Sequence, residues 1–181
     1  MKSNSKKTIV RLAKLGILVA ISIVLVYFVH FPIFPAVAFL EYDPADISIL
    51  IGTFAFGPFA GLALTLVTSV IQGLTVSSGS GVYGIIMHII ATGVYSVVAG
   101  TIYHFHKTRK GAVVALACGT GAMVFVMYFA NLLITPVFMA VPVEAVKDLM
   151  GFILGFNFIK AGINGFVTFL LYKKISNFLH K

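Results

Sequence analysis

VKDLMGFILGFNFIKAGINGFVTFLLY, residues Val146–Tyr172, is the stretch whose chemistry sets the fold class. It is longer than the roughly 20 apolar residues that cross a bilayer. Within lipid every backbone polar group must be bonded inside its own segment, so such a run is a helix. Lys160 interrupts it about 14 residues in, near the membrane midplane. An ionised Lys at that depth costs about 2.5–3.5 kcal/mol and normally faces a cavity or a partner. Asn157 and Asn164 stand three positions before and four after it, on the same helical face.

Five further apolar stretches precede this one, at about Ile9–Val29, Ala45–Phe56, Phe59–Val76, Val82–Tyr103 and Ala112–Phe138. The expected fold is therefore an all-α integral membrane bundle of six transmembrane helices, in one domain spanning residues 1–181. The 12 residues of the second stretch give only about 18 Å of helix, short of a roughly 30 Å hydrocarbon core. That helix either begins in the preceding loop or crosses partly, packed inside the bundle. Gly57-Pro58 is the turn that follows it. Composition agrees: 60% of residues are hydrophobic, 10% are charged, and mean hydropathy is +1.06. Soluble domains average about a quarter charged residues, so a water-solvated globule is excluded. The single Cys118 permits neither an internal disulfide nor a Cys-based zinc site, and it reads as a small core residue.

Charge placement orients the bundle. Lys2, Lys6, Lys7, Arg11 and Lys14, then Lys107, Arg109 and Lys110, then Lys173, Lys174 and Lys181 make eleven of the thirteen basic residues. Six crossings put all three groups on one side, and the positive-inside rule makes that side, with both termini, cytoplasmic. The acids Glu41, Asp43, Asp46, Glu144 and Asp148 fall in or beside loops on the other side, where they read as caps of the second and last helices. The net charge of +8 is thus topology and contact with anionic lipid, not a nucleic-acid surface. The basic N-terminus and Ala36-Val37-Ala38 have the look of a signal peptide, but an apolar run of about 21 residues exceeds the usual 7–15. It is read as a retained first helix.

The remaining polar residues cluster in the outer half. Asn131, Gln72, His88 and His30 join Asn157 and Lys160 there, while the inner half is mostly Leu, Ile, Val, Phe and Ala. This asymmetry predicts a pocket open to the outside and closed toward the cytoplasm. The loop Phe31–Pro44, with its prolines and aromatics, suits a lid, and the Gly/Ser loop Thr75–Gly81 lies on the same side. Asn and Gln in membrane helices also bond neighbouring helices, and that reading stays open for Gln72 and Asn164. His30 and His88 read as interhelical donors rather than metal ligands. For Lys160 the alternative is an ion pair, yet no acid lies at its depth in any apolar stretch.

Several chemistries are missing. There is no G-x-x-x-x-G-K-[ST] for ATP and no H-E-x-x-H for a metal. Ser77-Ser78-Gly79-Ser80-Gly81 lacks the first Gly of the intramembrane serine-protease G-x-S-G pattern. With acids confined to outer loops, no intramembrane carboxylate pair is expected. A binding pocket without its own energy source remains.

The chain resembles the substrate-binding (S) components of energy-coupling factor (ECF) vitamin importers, most closely the riboflavin-specific type. The likeness rests on Phe34-Pro35, on Glu41-Tyr42-Asp43-Pro44-Ala45-Asp46-Ile47, on Gln72-Gly73-Leu74, and on Asn157-x-x-Lys160-Ala161-Gly162-Ile163-Asn164, in order across residues 9–175. It implies a non-catalytic, multi-pass subunit of a bacterial plasma membrane that captures riboflavin outside. A transmembrane coupling protein and two ATPase subunits then drive import. It also implies that Asn131, Asn157 and Lys160 contact the flavin with help from Leu40–Asp43, and that a small-x-x-x-small face on helix 1 docks the coupling protein. Gly16-x-x-x-Ala20 fits that face with Ala13 one turn earlier, packing within the bundle being the alternative. Riboflavin would be cargo, not a cofactor.

The chemistry of a flavin suits these residues. Its ring is a flat aromatic with one edge of carbonyls and an imide N–H, which an Asn amide can match. Lys160 can donate to a carbonyl there, and lid aromatics can cover the ring. Folate and pantothenate carry carboxylates that would also suit Lys160. Thiamine is a cation, and a buried Lys without a nearby acid argues against it. An intramembrane enzyme would need paired catalytic groups, and a channel a polar stripe through the full bilayer depth. Neither is visible.

Overall fold

The computed structural model describes residues 2–179, with side chains described from 6 to 175. Lys181 and the Lys2 side chain, two of the charges used to orient the bundle, lie outside the described residues. The described chain is helical almost throughout: α1 Lys2–Phe28, α2 Ala45–Phe56, α3 Pro58–Leu74, α4 Gly81–Phe105, α5 Arg109–Met139, α6 Val143–Asp148 and α7 Met150–Leu179. The expected last helix is thus two, a short α6 and the long α7, joined through Leu149. Four helices are long and apolar enough to cross a membrane, over Lys6–Phe28, Ser78–Phe105, Arg109–Met139 and Met150–Ile175. The helices α2 and α3 are apolar but shorter.

The short helix α2 is the centre of the bundle. It packs against α1, α3, α4 and α7, and every residue from Ala45 to Phe54 is buried. An element enclosed by other helices need not meet lipid, which explains an apolar run too short to span alone. It stops at Gly57, whose φ of 95° is comfortable only for glycine, and Pro58 then opens α3 at its first position. The start of α5 is capped by Thr108, whose hydroxyl accepts from Gly111 N at 2.9 Å. Its end is closed by Ala140 in the left-handed region.

A central aromatic sets how closely the helices approach. Tyr95 of α4 is fully buried, and a Cβ at Gly119 of α5 would come 2.6 Å from its ring. The Tyr95 hydroxyl donates to Ala161 O of α7 at 3.1 Å. One side chain thereby ties α4, α5 and α7 together. Cys118, expected in the core, is exposed on the opposite side of α5, because the neighbouring Gly119 and Thr120 hold the buried face.

The loop between α1 and α2 is structured. Strands β1 (Phe31–Pro32) and β2 (Glu41–Tyr42) pair antiparallel, Phe31 opposite Tyr42, around a 3₁₀ turn at Pro35–Val37. Val37, Leu40 and Tyr42 form a small core with Val146 of α6 and Met150, Ile153 and Phe156 of α7. This packing seats the loop as a cap over one end of the bundle and delivers Asp43 into its interior.

Candidate functional site

At the capped end, two acids of the α1–α2 connection enter the bundle. Asp43 is 4% exposed and Asp46 fully buried. The Lys160 ammonium of α7 donates to Asp43 Oδ2 at 2.7 Å, and Asp43 Oδ1 accepts from Ala45 N at 3.1 Å. Asp43 therefore caps the start of α2, as expected, and also neutralises the lysine. Asp46 caps nothing. Its Oδ1 accepts from Thr92 Oγ1 at 2.7 Å and meets His88 Nε2 at 3.3 Å, and its Oδ2 accepts from Asn164 at 3.1 Å. The Asn164 amide also donates to Asp43 O at 2.9 Å and accepts from the Tyr42 hydroxyl at 3.0 Å. Burial, reinforced by the carboxylates of Asp43 and Asp46, holds the Tyr42 hydroxyl above its ordinary pKa, so it remains a donor.

Every buried charge here is thus paired and hydrogen-bonded, as a low-dielectric interior demands. Two expectations fail together: an acid does lie at the depth of Lys160, and two carboxylates do enter the bundle. The reason is geometric. The cap folds inward at Asp43-Pro44, so acids placed in a loop by the sequence stand against the middle of α7.

Ser69, His88 and Asp46 form a line with the connectivity of a nucleophile, a base and an acid. Ser69 Oγ lies 2.9 Å from His88 Nδ1. Its hydroxyl, however, donates to Thr65 O at 2.7 Å, so the Ser69 proton is directed away from His88 and the serine is not activated by it. The arrangement holds α2, α3 and α4 together.

Beside this network lies a cavity of about 100 Å³, whose lining combines the apolar Phe39, Tyr83, Met87 and Phe156 with the polar Asp43, Gln72, Asn157 and Lys160. A second space of about 260 Å³ adjoins it outward, sharing His30, Phe39, Glu41, Ser77 and Ser80. The apolar wall is aromatic: Phe39 meets the Tyr83 ring edge-on, and Tyr83 stacks on Phe138 with centroids 3.9 Å apart. Among the polar lining groups, Gln72 Oε1 is fully buried and has no partner among the described residues. A flat aromatic molecule with a hydrogen-bonding edge is the shape and chemistry such walls accept.

Residues 10–172 match the family described as "ECF transporter, substrate-specific component". The chain belongs to this family. The riboflavin transporter RibU of Staphylococcus aureus (strain TCH60) is 30% identical over 178 residues, covering 94% of this chain and 93% of the relative. The riboflavin transporter FmnP of Bacillus subtilis (strain 168) is 28% identical over 181 residues, covering 94% of each. A solved structure, described as "Structure and mechanism of the S component of a bacterial ECF transporter", superposes with a TM-score of 0.80 at 30% identity. It covers 94% of this chain and 98% of that one.

In this S component, Leu40, Asp43, Gln72, Asn157 and Lys160 all line the inner cavity. Asn131 is not in its lining. It is fully buried, donating to Met127 O at 2.8 Å and accepting from Thr135 Oγ1 at 2.9 Å. Thr135 in turn meets the Tyr83 hydroxyl at 2.9 Å, so Asn131 supports the aromatic wall from the rear. The sequence leaves Ser69, Thr92 and Tyr83 without a signal, while Phe39 enters the site as one of the lid aromatics. Ser and Thr inside membrane helices are too common to signal anything alone. Ala13, Gly16 and Ala20 all face outward on α1, and nothing lies within 4 Å of a Cβ placed on Gly16.

Proposed function

We propose that this S component captures riboflavin in the cavity beneath the cap. The observation that carries the reading is the pairing of an aromatic wall with a polar wall whose Gln72 Oε1 lacks a donor. The flavin imide N–H supplies such a donor, and its carbonyls can take donors from Asn157 and Lys160. Phe39 stands at the border of the inner and outer spaces. Its displacement would join them into a volume within the roughly 300–1,000 Å³ of small-molecule sites. The relatives named riboflavin transporters, matched along nearly their whole length, support the same ligand.

The finer assignments follow from the same reading. The six apolar segments together form the membrane bundle, α2 enclosed within it, with both termini cytoplasmic and the cap facing outside. The exposed face of Ala13, Gly16 and Ala20 docks a transmembrane coupling protein, which two ATPase subunits drive. Asn131 acts behind the pocket wall.

An anionic vitamin such as folate or pantothenate fits less well than the lone lysine suggested. Lys160 is already neutralised by Asp43, with the Asp46 carboxylate also near it. With Asp43 beside Lys160, a cationic ligand such as thiamine is no longer disfavoured by the lack of an acid. What disfavours thiamine is that both buried carboxylates already have partners.

Calorimetric titration of the purified chain with riboflavin, folate, pantothenate and thiamine tests the reading. Tight one-to-one binding of riboflavin alone is expected. Tight binding of another of these, with none of riboflavin, overturns it.

A further inference from the structure

The opposite end of the bundle holds a separate cleft of about 310 Å³. Arg11 of α1, His104 of α4 and Lys107 just beyond it line this cleft, together with the α2–α3 turn Phe56–Phe59. Its lining contains no carboxylate, since all five acids of the sequence lie at 41–46 or 144–148. Arg11 is held in place: Nη2 donates to Phe56 O at 3.0 Å, and the guanidinium carbon stands 5.8 Å from the centroid of the Phe56 ring. A guanidinium carries five N–H donors, and this bond uses one. The first turn of α3 opens into the same cleft, as do the last turns of α2 and α4, so the opposed helix dipoles leave the side chains of Arg11, His104 and Lys107 to set its charge.

The surroundings are as informative as the charges. Phe59, on the cleft wall, is 86% exposed, and Phe105, beside His104, is 74% exposed. Large apolar rings exposed in this way at the end of an apolar helix bundle suit contact with acyl chains. A positive cleft with an apolar rim matches a molecule that is anionic at its head and apolar behind it.

We propose that this cleft binds the phosphate headgroup of an anionic phospholipid. Arg11 and Lys107 donate to the phosphate oxygens, His104 faces the same charge, and the acyl chains run along Phe59 and Phe105. A free phosphate shares the headgroup chemistry but leaves the rim unexplained, which decides for the lipid. Because Arg11 is bonded to the α2–α3 turn, an occupied cleft pins the start of α1 to that turn. The site is independent of the vitamin cavity.

Native mass spectrometry of the full chain, released from detergent and titrated with lipid, tests this. Phosphatidylglycerol is expected to be retained in preference to phosphatidylcholine. Neutralising two cations, each worth roughly fivefold near a membrane surface, should weaken retention by about thirtyfold in R11Q/K107Q. The control K110Q/K174Q, which removes two charges outside the cleft lining, should retain the lipid. Melting temperatures of both variants, followed by circular dichroism, verify that they fold. Equal loss in both variants, or undiminished retention in R11Q/K107Q, overturns the site. Displacement of the lipid by millimolar inorganic phosphate shows a free anion to be the ligand and overturns the lipid assignment.

Discussion

Lys160 Nζ lies 2.7 Å from Asp43 Oδ2, although 117 positions separate the two residues in the chain. The pair joins the cap to the middle of α7, and both side chains are more than nine-tenths buried. Removing one partner of a buried pair leaves an uncompensated charge and typically costs about 3–5 kcal/mol. Lys160→Met should therefore lower the melting temperature markedly, and Lys160→Met/Asp43→Asn should restore most of it. An unchanged melting temperature in the single variant would show that the pair is not formed in solution.

Asp46 depends on neutral donors as well as on His88. Thr92 Oγ1 gives its carboxylate a 2.7 Å bond, and both residues are fully buried. Thr92→Val keeps the shape but leaves one Asp46 oxygen short of a donor, a loss of about 1–3 kcal/mol. Thr92→Ser retains the hydroxyl and should lose clearly less. Thermal unfolding of the two variants in the same detergent checks the order, and equal stability would remove Thr92 from the network.

Lys160 was visible in the sequence because an ammonium in an apolar run has no bland explanation, and Asn157 and Asn164 followed from helical spacing. The bundle was visible because bilayer thickness fixes the length of an apolar run. What stayed hidden depends on how the loop folds. Nothing local in Glu41-Tyr42-Asp43-Pro44 states that the chain turns inward there, so Asp43 and Asp46 read as outer caps and Lys160 as unpaired. Asn131 shows the converse limit. Its depth was apparent, but depth does not reveal that its amide bonds Met127 O and Thr135 within its own helix. The split at Leu149 between α6 and α7 was likewise hidden, because neither Gly nor Pro stands at the break.

Gly119 is a place where one methyl group matters. A Cβ there would come 2.6 Å from the Tyr95 ring and 3.1 Å from Ala99 Cβ, with no flexible chain end to give way. Gly119→Ala should push α4 and α5 apart at a cost of about 1–3 kcal/mol. Gly121, two positions on, has nothing within 4 Å of such an atom. Gly121→Ala should be neutral or slightly stabilising, because alanine is the better helix former. Melting temperatures of the pair decide it, and equal effects would mean that the Tyr95 contact does not limit the approach.

Gln72 separates a binding role from a structural one. Its Oε1 is buried without a donor among the described residues, and its Nε2 makes only long contacts, 3.3 Å to Asp43 Oδ2 and 3.4 Å to Ser77 Oγ. Replacing it by Met removes an acceptor that the unliganded protein does not satisfy, so the melting temperature without vitamin should hold or rise slightly. If the flavin imide N–H is the missing donor, the same change deletes a ligand bond worth about 1–1.5 kcal/mol, and the riboflavin Kd should rise roughly tenfold. A purely structural glutamine predicts the opposite pattern, with a lower melting temperature and an unchanged Kd. Calorimetry and thermal unfolding on Gln72→Met therefore distinguish the two, and an unaltered Kd would take Gln72 out of the riboflavin site.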